Sequence, residues 1–420
     1  MMAELPEKAS DFYFKRKPDG TKRELPSTFK KPMFVRGDQH VCPQALGGDS
    51  YHGCSTNCTF CFCRELESTM MPAYFDNWTP DTIRPADLKY YEKMLALAYS
   101  EKQTKNKIAL GLRKGIAFGL GVRSEPFMLP IERKEKITLN ILKLFKDYDH
   151  PVLLLVKSNL PSKSPHYDVI SEMNVATVIS IIAGSPKKIK RLEPRAPTSS
   201  ERWKAIQMLN ENGLWAAVKF EPVLPTINDS EEELRDYATE ALDSHCKHIT
   251  FYNYHCSRRP MAKARFEKAG FDYEKMWKAN KDEAWKPNAK RILKLFKSYK
   301  IPTSTADWVN FPFESECESC CGIDLIWPNG FNKFTFRHAC SVLKEKGEVR
   351  WKDMIEAEPV LYDQNDFNMM KRLWNDVDEK MYGMRDLYDD YYIDAVGEDD
   401  DGMVIWKRNV KKRGLLQHVR

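Results

Sequence analysis

The sequence predicts an α/β fold, a partial (βα)6 barrel of the TIM type that is open on one side, with an irregular N-terminal arm and a C-terminal extension. Two observations predict it. Short apolar runs rich in β-formers recur at 116–122, 152–157, 176–182, 214–220 and 248–254, and each is followed by a segment of helical period. A further strand is expected just before the cysteine-bearing stretch that starts near residue 50, which brings the count to about six βα units. Such alternation specifies parallel strands with covering helices. The arm is expected over residues 1–44, the barrel over 45–300 and the extension over 301–420.

Taken in order, the arm is polar and basic, with Lys15, Arg16, Lys17, Lys22, Arg23, Lys30, Lys31 and Arg36 but no sustained periodicity. Ile137, Ile141, Leu142, Leu144 and Phe145 give one apolar helix face before Pro151. Thr198 and Glu201 form a capping box ahead of Trp203, Ile206 and Leu209, and Gly213 is placed to end that helix. Ser230 and Glu233 repeat the device before Leu234, Ala238 and Leu242. Pro287 suits the first turn of a helix carrying Ile292, Leu293 and Phe296.

The chain has 420 residues, of which 42% are hydrophobic and 30% charged, the composition of a globular protein with room for one large core and an appended module. No stretch approaches the length of an apolar membrane span, and the opening residues lack the layout of a signal peptide. A cytoplasmic protein without membrane contact is therefore expected, and its eleven cysteines read as metal ligands and reactive or buried thiols, not disulfides. The net charge of +6 allows an anionic substrate such as a nucleotide or nucleic acid without demanding one.

Cys54, Cys58 and Cys61 are spaced C-x3-C-x2-C, with the aromatic Phe60 before the last cysteine. This is iron–sulfur spacing: Gly53, Ser55, Thr56 and Asn57 let one short loop wrap the corner of a cluster, and three thiolates on a [4Fe-4S] cluster leave one iron open. An open iron holds a ligand and passes it an electron, which points to redox radical chemistry. Zinc is the alternative, although zinc knuckles more typically use paired C-x2-C units or Cys/His mixtures. The motif resembles that of the radical S-adenosylmethionine (SAM) superfamily. That resemblance implies SAM as cofactor and places Phe60 against its adenine.

In a barrel of this type ligands bind where the strands end. The second strand ends in Ser124 and Glu125, which offer acceptors for an α-amino group; Lys157, at the end of the third, suits a carboxylate; Ser180 lies in the fourth; and the fifth runs into Lys219 to Asp229. Each residue also has an ordinary explanation: turn chemistry for Asn228 and Asp229, a solvated lysine for Lys157, a side-chain-to-backbone bond for Ser180.

Five ordered segments between about residues 50 and 255 resemble the spore photoproduct lyase-like branch of the superfamily, the DNA-repair-photolyase homologues. They are Gly53 to Cys61, the Ser-Glu-Pro-Phe-Met-Leu-Pro-Ile-Glu run ending at Glu132, Val156 to Ser158, Arg191 to Ile206, and Glu221 to Asp229. The resemblance implies contacts to the amino-acid end of SAM from Ser124, Lys157 and Ser180. Glu125 stands where the branch has Asp, keeping the charge on a longer side chain. The implied chemistry is reductive cleavage of SAM to a 5′-deoxyadenosyl radical that abstracts hydrogen from a bound substrate, with electrons from a flavodoxin- or ferredoxin-type protein. Because that step needs no acid–base pair, Glu132, Glu193 and Glu221 are assigned binding or structural roles.

Cys317, Cys320, Cys321 and Cys340, with His338 nearby, have ligand-like spacing for a second iron–sulfur cluster or a zinc ion. Alternatively Cys321 or Cys340 returns a hydrogen atom to a product radical, the role a cysteine has in spore photoproduct lyase. A loop without metal is the third reading. Cys63, Cys246 and Cys256 read as packed thiols, and Cys42 has no assigned role.

The tail separates acidic from basic residues. Asp386, Asp389, Asp390 and Asp394 interleave with Tyr388, Tyr391 and Tyr392, and the basic group runs from Lys407 to Arg420. Such runs touch phosphates, with the aromatics stacking on bases, or, more often, are solvated or pair with each other. The expected function is a radical SAM enzyme acting on a nucleobase, a nucleotide or DNA by repairing or modifying a pyrimidine. A peptide or small-metabolite substrate and a non-catalytic iron–sulfur or zinc-binding interaction protein are the alternatives.

Overall fold

Branched aliphatic residues at Val152–Val156 and Val175–Ser180 stiffen two neighbouring parallel strands, and the same composition builds most of the sheet around them. The computed structural model describes residues 28–37, 40–63, 83–255, 259–307, 311, 313–375, 384 and 393–408. In chain order its strands are β1 (Met33–Val35), β2 (Leu46–Gly48), β3 (Tyr51–His52), β4 (Arg84–Pro85), β5 (Phe118–Leu120), β6 (Val152–Val156), β7 (Val175–Ser180), β8 (Trp215–Val223), β9 (Ile249–Asn253), β10 (Thr303–Thr305), β11 (Glu348–Val349), β12 (Ile393–Glu398) and β13 (Val404–Arg408).

The main sheet runs β1-β2-β5-β6-β7-β8-β9-β10; β1 is antiparallel to β2, and every other neighbouring pair is parallel. All five expected apolar runs and the strand before the cysteines are present, and the sheet is that of a partial TIM-type barrel. Two strands go beyond the expected count. One is β1; the other is β10, which lies past residue 300, in the stretch expected to belong to the extension, and pairs with β9.

Helices connect the parallel strands and cover the outer face. Phe118 stacks on Phe145 of helix Ile137–Asp147 with ring centroids 4.8 Å apart, and Phe220 meets Tyr237 of helix Glu231–Asp243 at 4.9 Å. The Thr198–Glu201 capping box is formed, Gly213 turns left-handed after helix Ser199–Glu211, and Ser230 caps its helix by accepting from the Glu233 N–H. The expectation for Pro287 is corrected. Its helix starts at Asp282 and Pro287 lies inside it, where the ring removes the donor that the Glu283 carbonyl would take.

The inner face follows from strand alternation. Parallel partners in register carry their side chains on the same side, so Ser180, Lys219, Thr250 and Ser304 form one polar row across β7 to β10. Toward the strand N-termini, Leu153, Ala176, Val178 and Ala217 form an apolar layer with Cys321, Ile323 and Phe331. The segment carrying the later cysteines therefore fills the base of the open barrel.

A second, smaller sheet, β11-β13-β12, shares an apolar cluster with Phe334, Phe336, Trp351, Met370, Leu373 and Trp374. In it Asp394 stands opposite Lys407 in register, as expected if the acidic and basic runs pair. The remaining tail positions named above, the arm residues through Arg23 and Cys256 lie outside the described residues. Among the described residues no helix is long and apolar enough to cross a membrane.

Candidate functional site

β3 leads directly into the cysteine loop, and its pairing with β4 fixes Tyr51 opposite Pro85 and His52 opposite Arg84. Gly53 and Asn57 take positive φ of 88° and 55°, which turns the backbone around the sulfurs. The loop is clamped from several sides. Thr59 N–H donates to the Leu192 carbonyl at 2.8 Å, Arg265 Nε donates to the Thr59 carbonyl at 2.8 Å, and Ser55 N–H reaches the Met128 sulfur at 3.1 Å.

Burial pushes the Cys54 thiol up to about 11, with the Thr56 hydroxyl opposing the shift. Burial also drives Cys58 well above the usual range, although Lys157 favours its thiolate. Three soft donors in one short, partly buried loop, of which Cys58 is the buried one, fit a cluster that brings its own positive charge, because that charge is what turns such thiols into ligands. Among the described residues, no three His, Cys, Asp or Glu side chains are arranged to hold a single metal ion.

The wall beside the loop is a buried charge network. Lys157 Nζ lies 2.6 Å from Glu193 Oε1 and 5.3 Å from the Phe60 ring centre. Arg202 reaches Glu193 Oε2 at 2.5 Å and donates to the Ser180 carbonyl at 2.6 Å. Burial alone would raise Glu193, but Arg202 and Lys157 outweigh it and hold the carboxyl below its ordinary range. Lys157 thus meets a carboxylate, that of the protein itself.

Glu125 accepts from the backbone N–H groups of Phe127 and Lys157, and burial raises it to about 7 despite them. Each of its oxygens keeps acceptor capacity. Ser124 Oγ donates to the Tyr51 carbonyl at 2.7 Å, and Ser124 and Arg123 both donate backbone N–H groups to Asp49, which burial raises to about 6.

Across the polar row, Lys219 pairs with Glu221 at 2.9 Å, and Cys320 and Cys321 come within 4.0 Å of each other. Cys320 is lowered to about 6, chiefly by the Cys321 thiol and further by Arg337 and Lys219, whereas Cys321 is raised well above the usual range. The turn is fixed by Cys317 N–H on Ser304 Oγ at 3.3 Å and by Gly322 at φ 72°, where a Cβ would come within 2.6 Å of the His248 ring.

Residues 50–238 match the family model described as Radical SAM superfamily. They form a radical SAM domain. An uncharacterized protein of Methanocaldococcus jannaschii is 26% identical over 201 residues, 48% of this chain and 66% of that protein. One of Mycobacterium tuberculosis is 22% identical over 209 residues, 49% of this chain and 58% of that protein. These alignments span less than two thirds of either relative. Spore photoproduct lyase complexed with dinucleoside spore photoproduct superposes with a TM-score of 0.43 at 14% identity, covering 61% of this chain and 74% of that one. Streptococcus suis SuiB bound to its precursor peptide SuiA gives 0.41 at 12% identity, covering 62% and 48%. A radical SAM methyltransferase from Sphaerobacter thermophilus gives 0.38 at 14% identity, covering 62% and 65%.

Within the radical SAM domain, Cys54, Cys58, Cys61, Phe60, Ser124, Glu125, Lys157 and Ser180 all belong to the cysteine loop or to the strand ends around it. The later cysteines divide. Cys320 and Cys321 pack against the inner apolar layer, while Cys340 sits in the second apolar cluster, where burial pushes it up to about 12. Cys317 and Cys340 line a small cavity with Arg337 and Glu318, and Glu318 takes His338 at 2.8 Å. Sequence reasoning missed Arg202 and Asp49. The helical period does show Arg202 beside the apolar Trp203 and Ile206, but nothing local gives it Glu193 as a partner.

Proposed function

We propose that the chain is a radical SAM enzyme whose substrate is a nucleobase, a nucleotide or DNA, with repair or modification of a pyrimidine as its reaction. The observation that carries this reading is the partly buried three-thiol loop at the C-terminal end of the parallel sheet, whose Phe60 lies beside Lys157 and the Glu193–Arg202 pair. When bound, a [4Fe-4S] cluster and SAM supply one-electron reductive cleavage of a sulfonium and, from it, a carbon radical able to take hydrogen.

The chain's own residues hold and orient. Cys54, Cys58 and Cys61 would ligate the cluster, and Phe60 would offer a flat apolar surface to adenine. Lys157 is positioned by Glu193, and Glu125 and Ser124 shape the wall that receives an amino-acid moiety. Buried in low dielectric, these groups need no reorganisation when ligand enters. Cys320 and Cys321, packed against the inner apolar layer, are the preferred candidates for a thiol that returns hydrogen to a substrate radical, ahead of Cys340 in the second apolar cluster. Electrons come from a flavodoxin- or ferredoxin-type reductant. The likeness of the five motif segments to the spore photoproduct lyase-like branch, together with the mild positive charge, supports a nucleotide-type substrate.

The test is anaerobic reconstitution followed by incubation with reductant, SAM and, in turn, DNA, pyrimidine nucleotides and peptides. A new product from DNA or nucleotide supports the reading. Turnover on peptide alone overturns the substrate class.

A further inference from the structure

Ser319, Cys320, Cys321 and Gly322 form a tight turn, closed by the Gly322 N–H donating to the Ser319 carbonyl at 3.0 Å, with the two cysteines at its centre. The turn is braced from both sides. Asp324 accepts from the Glu318 and Ser319 N–H groups at 2.8 and 3.2 Å, and Ser319 Oγ accepts from the Ile323 N–H at 2.9 Å. Gly322 leaves the turn at φ 72°, a conformation that glycine adopts without strain.

This backbone decides where the sulfurs go. Consecutive side chains along an extended strand point to opposite faces. Here they point the same way, and the two Sγ atoms lie 4.0 Å apart. Both side chains pack against the apolar layer of Leu153, Ala176, Val178 and Ala217. Cys320 is half-buried and Cys321 is 8% exposed, so the pair is open to small reagents through Cys320. The fold brings together two sulfurs and not a metal cage: among the described residues no three His, Cys, Asp or Glu side chains are arranged to hold one ion.

Two thiols at this separation need only side-chain rotation to bond. Adjacent residues have Cα atoms about 3.8 Å apart, short of the roughly 4.4–6.8 Å that disulfides usually span. A bridge here is strained and readily reduced, which places it among the labile disulfides and not the structural ones.

We propose that Cys320 and Cys321 are a reversible dithiol–disulfide centre, oxidised by a low-molecular-weight disulfide such as oxidised glutathione. One sulfur displaces a first glutathione thiol and holds the second glutathione in a mixed disulfide; the neighbouring sulfur then displaces that one. Two S–H bonds are lost and one S–S bond forms. Both protons and both electrons leave on two molecules of reduced glutathione. The closed bridge presents no polar atom to the apolar layer, so that layer accommodates either form. The centre is independent of the proposed substrate, since its chemistry needs neither SAM nor a nucleotide.

The experiment is anaerobic incubation of the reconstituted full chain in glutathione buffers of increasing oxidised fraction. Free thiols are then alkylated, and the tryptic peptide 301–333, whose cysteines are Cys317, Cys320 and Cys321, is mapped by mass spectrometry. The wild type is expected to give this peptide with Cys317 alkylated and an internal bridge that dithiothreitol reopens. Cys317→Ser should form the bridge to within about twofold of the wild type, whereas Cys320→Ser and Cys321→Ser should each lower the internally bridged peptide by about tenfold or more. No bridge in the wild type at the most oxidising buffer, a bridge that requires Cys317, or one that persists in Cys320→Ser or Cys321→Ser overturns the proposal. Formation of 5′-deoxyadenosine by the same samples before oxidation reports separately on the radical SAM reading.

Discussion

Lys157 and Glu193 meet at 2.6 Å in the wall of the cysteine loop, and the same carboxylate is held from its other side by Arg202 at 2.5 Å. Both Glu193 and Arg202 are buried, so the pair survives only because each charge has its partner.

Glu193→Ala leaves Arg202 buried without a counter-ion, and urea unfolding is expected to show a loss of about 3–5 kcal/mol. Glu193→Gln keeps hydrogen bonds and should lose less. Equal, small losses for both variants would contradict a buried charge network.

Gly322 sets the path that carries Cys320 and Cys321 onto the inner face. Gly322→Ala forces a Cβ at φ 72° against the His248 ring, which lies 2.6 Å from that position. The expected cost is about 1–3 kcal/mol from backbone strain. A melting temperature matching that of the parent would show that the turn relaxes freely.

His150 is held neutral by burial, which lowers it to about 4, with the Ile116 carbonyl opposing the shift. The unfolded chain takes up its proton near pH 6.5, so between about pH 6.5 and 4 the unfolded state binds more protons and stability falls as pH drops. His150→Gln removes this share. The slope of unfolding free energy against pH should then decrease by about 1.4 kcal/mol per pH unit in that window, and an unchanged slope would contradict the assignment.

Cys320→Ala and Cys321→Ala test the thiols beside the Lys219 row. If one of them returns hydrogen to a substrate radical, its variant still forms 5′-deoxyadenosine but yields altered or rearranged substrate product. Cys340→Ser instead places a hydroxyl in the second apolar cluster, and its expected effect is on stability, about 1–3 kcal/mol, with the product unchanged. Altered product from Cys340→Ser alone would reverse the placement of the hydrogen donor.

Much of the sheet was legible because its central strands, such as Val152–Val156 and Val175–Ser180, are apolar on both faces and stand out in any window. β10 was not legible. Thr303, Ser304 and Thr305 are three short hydroxyl residues whose strand character comes from pairing with β9 and not from their own pattern. Pro287 misled for a related reason: a proline near a helix start is ordinarily at its first turn, but here packing of Trp285 against Phe251 extends the helix ahead of it. The cysteine loop was readable since its three cysteines are close together in the sequence. The Lys157–Glu193 pair and the approach of Cys320 to Lys219 join residues far apart in sequence, and only the folded path brings them together.

The most direct measurement is anaerobic iron–sulfur reconstitution of the wild type and Cys58→Ala, followed by electron paramagnetic resonance of the reduced protein and quantification of 5′-deoxyadenosine after adding SAM. The wild type should show a reduced [4Fe-4S] signal that changes on SAM addition and should form 5′-deoxyadenosine, and Cys58→Ala should show neither. A wild type that takes up only zinc at Cys54, Cys58 and Cys61, or a Cys58→Ala variant that still cleaves SAM, would contradict the account.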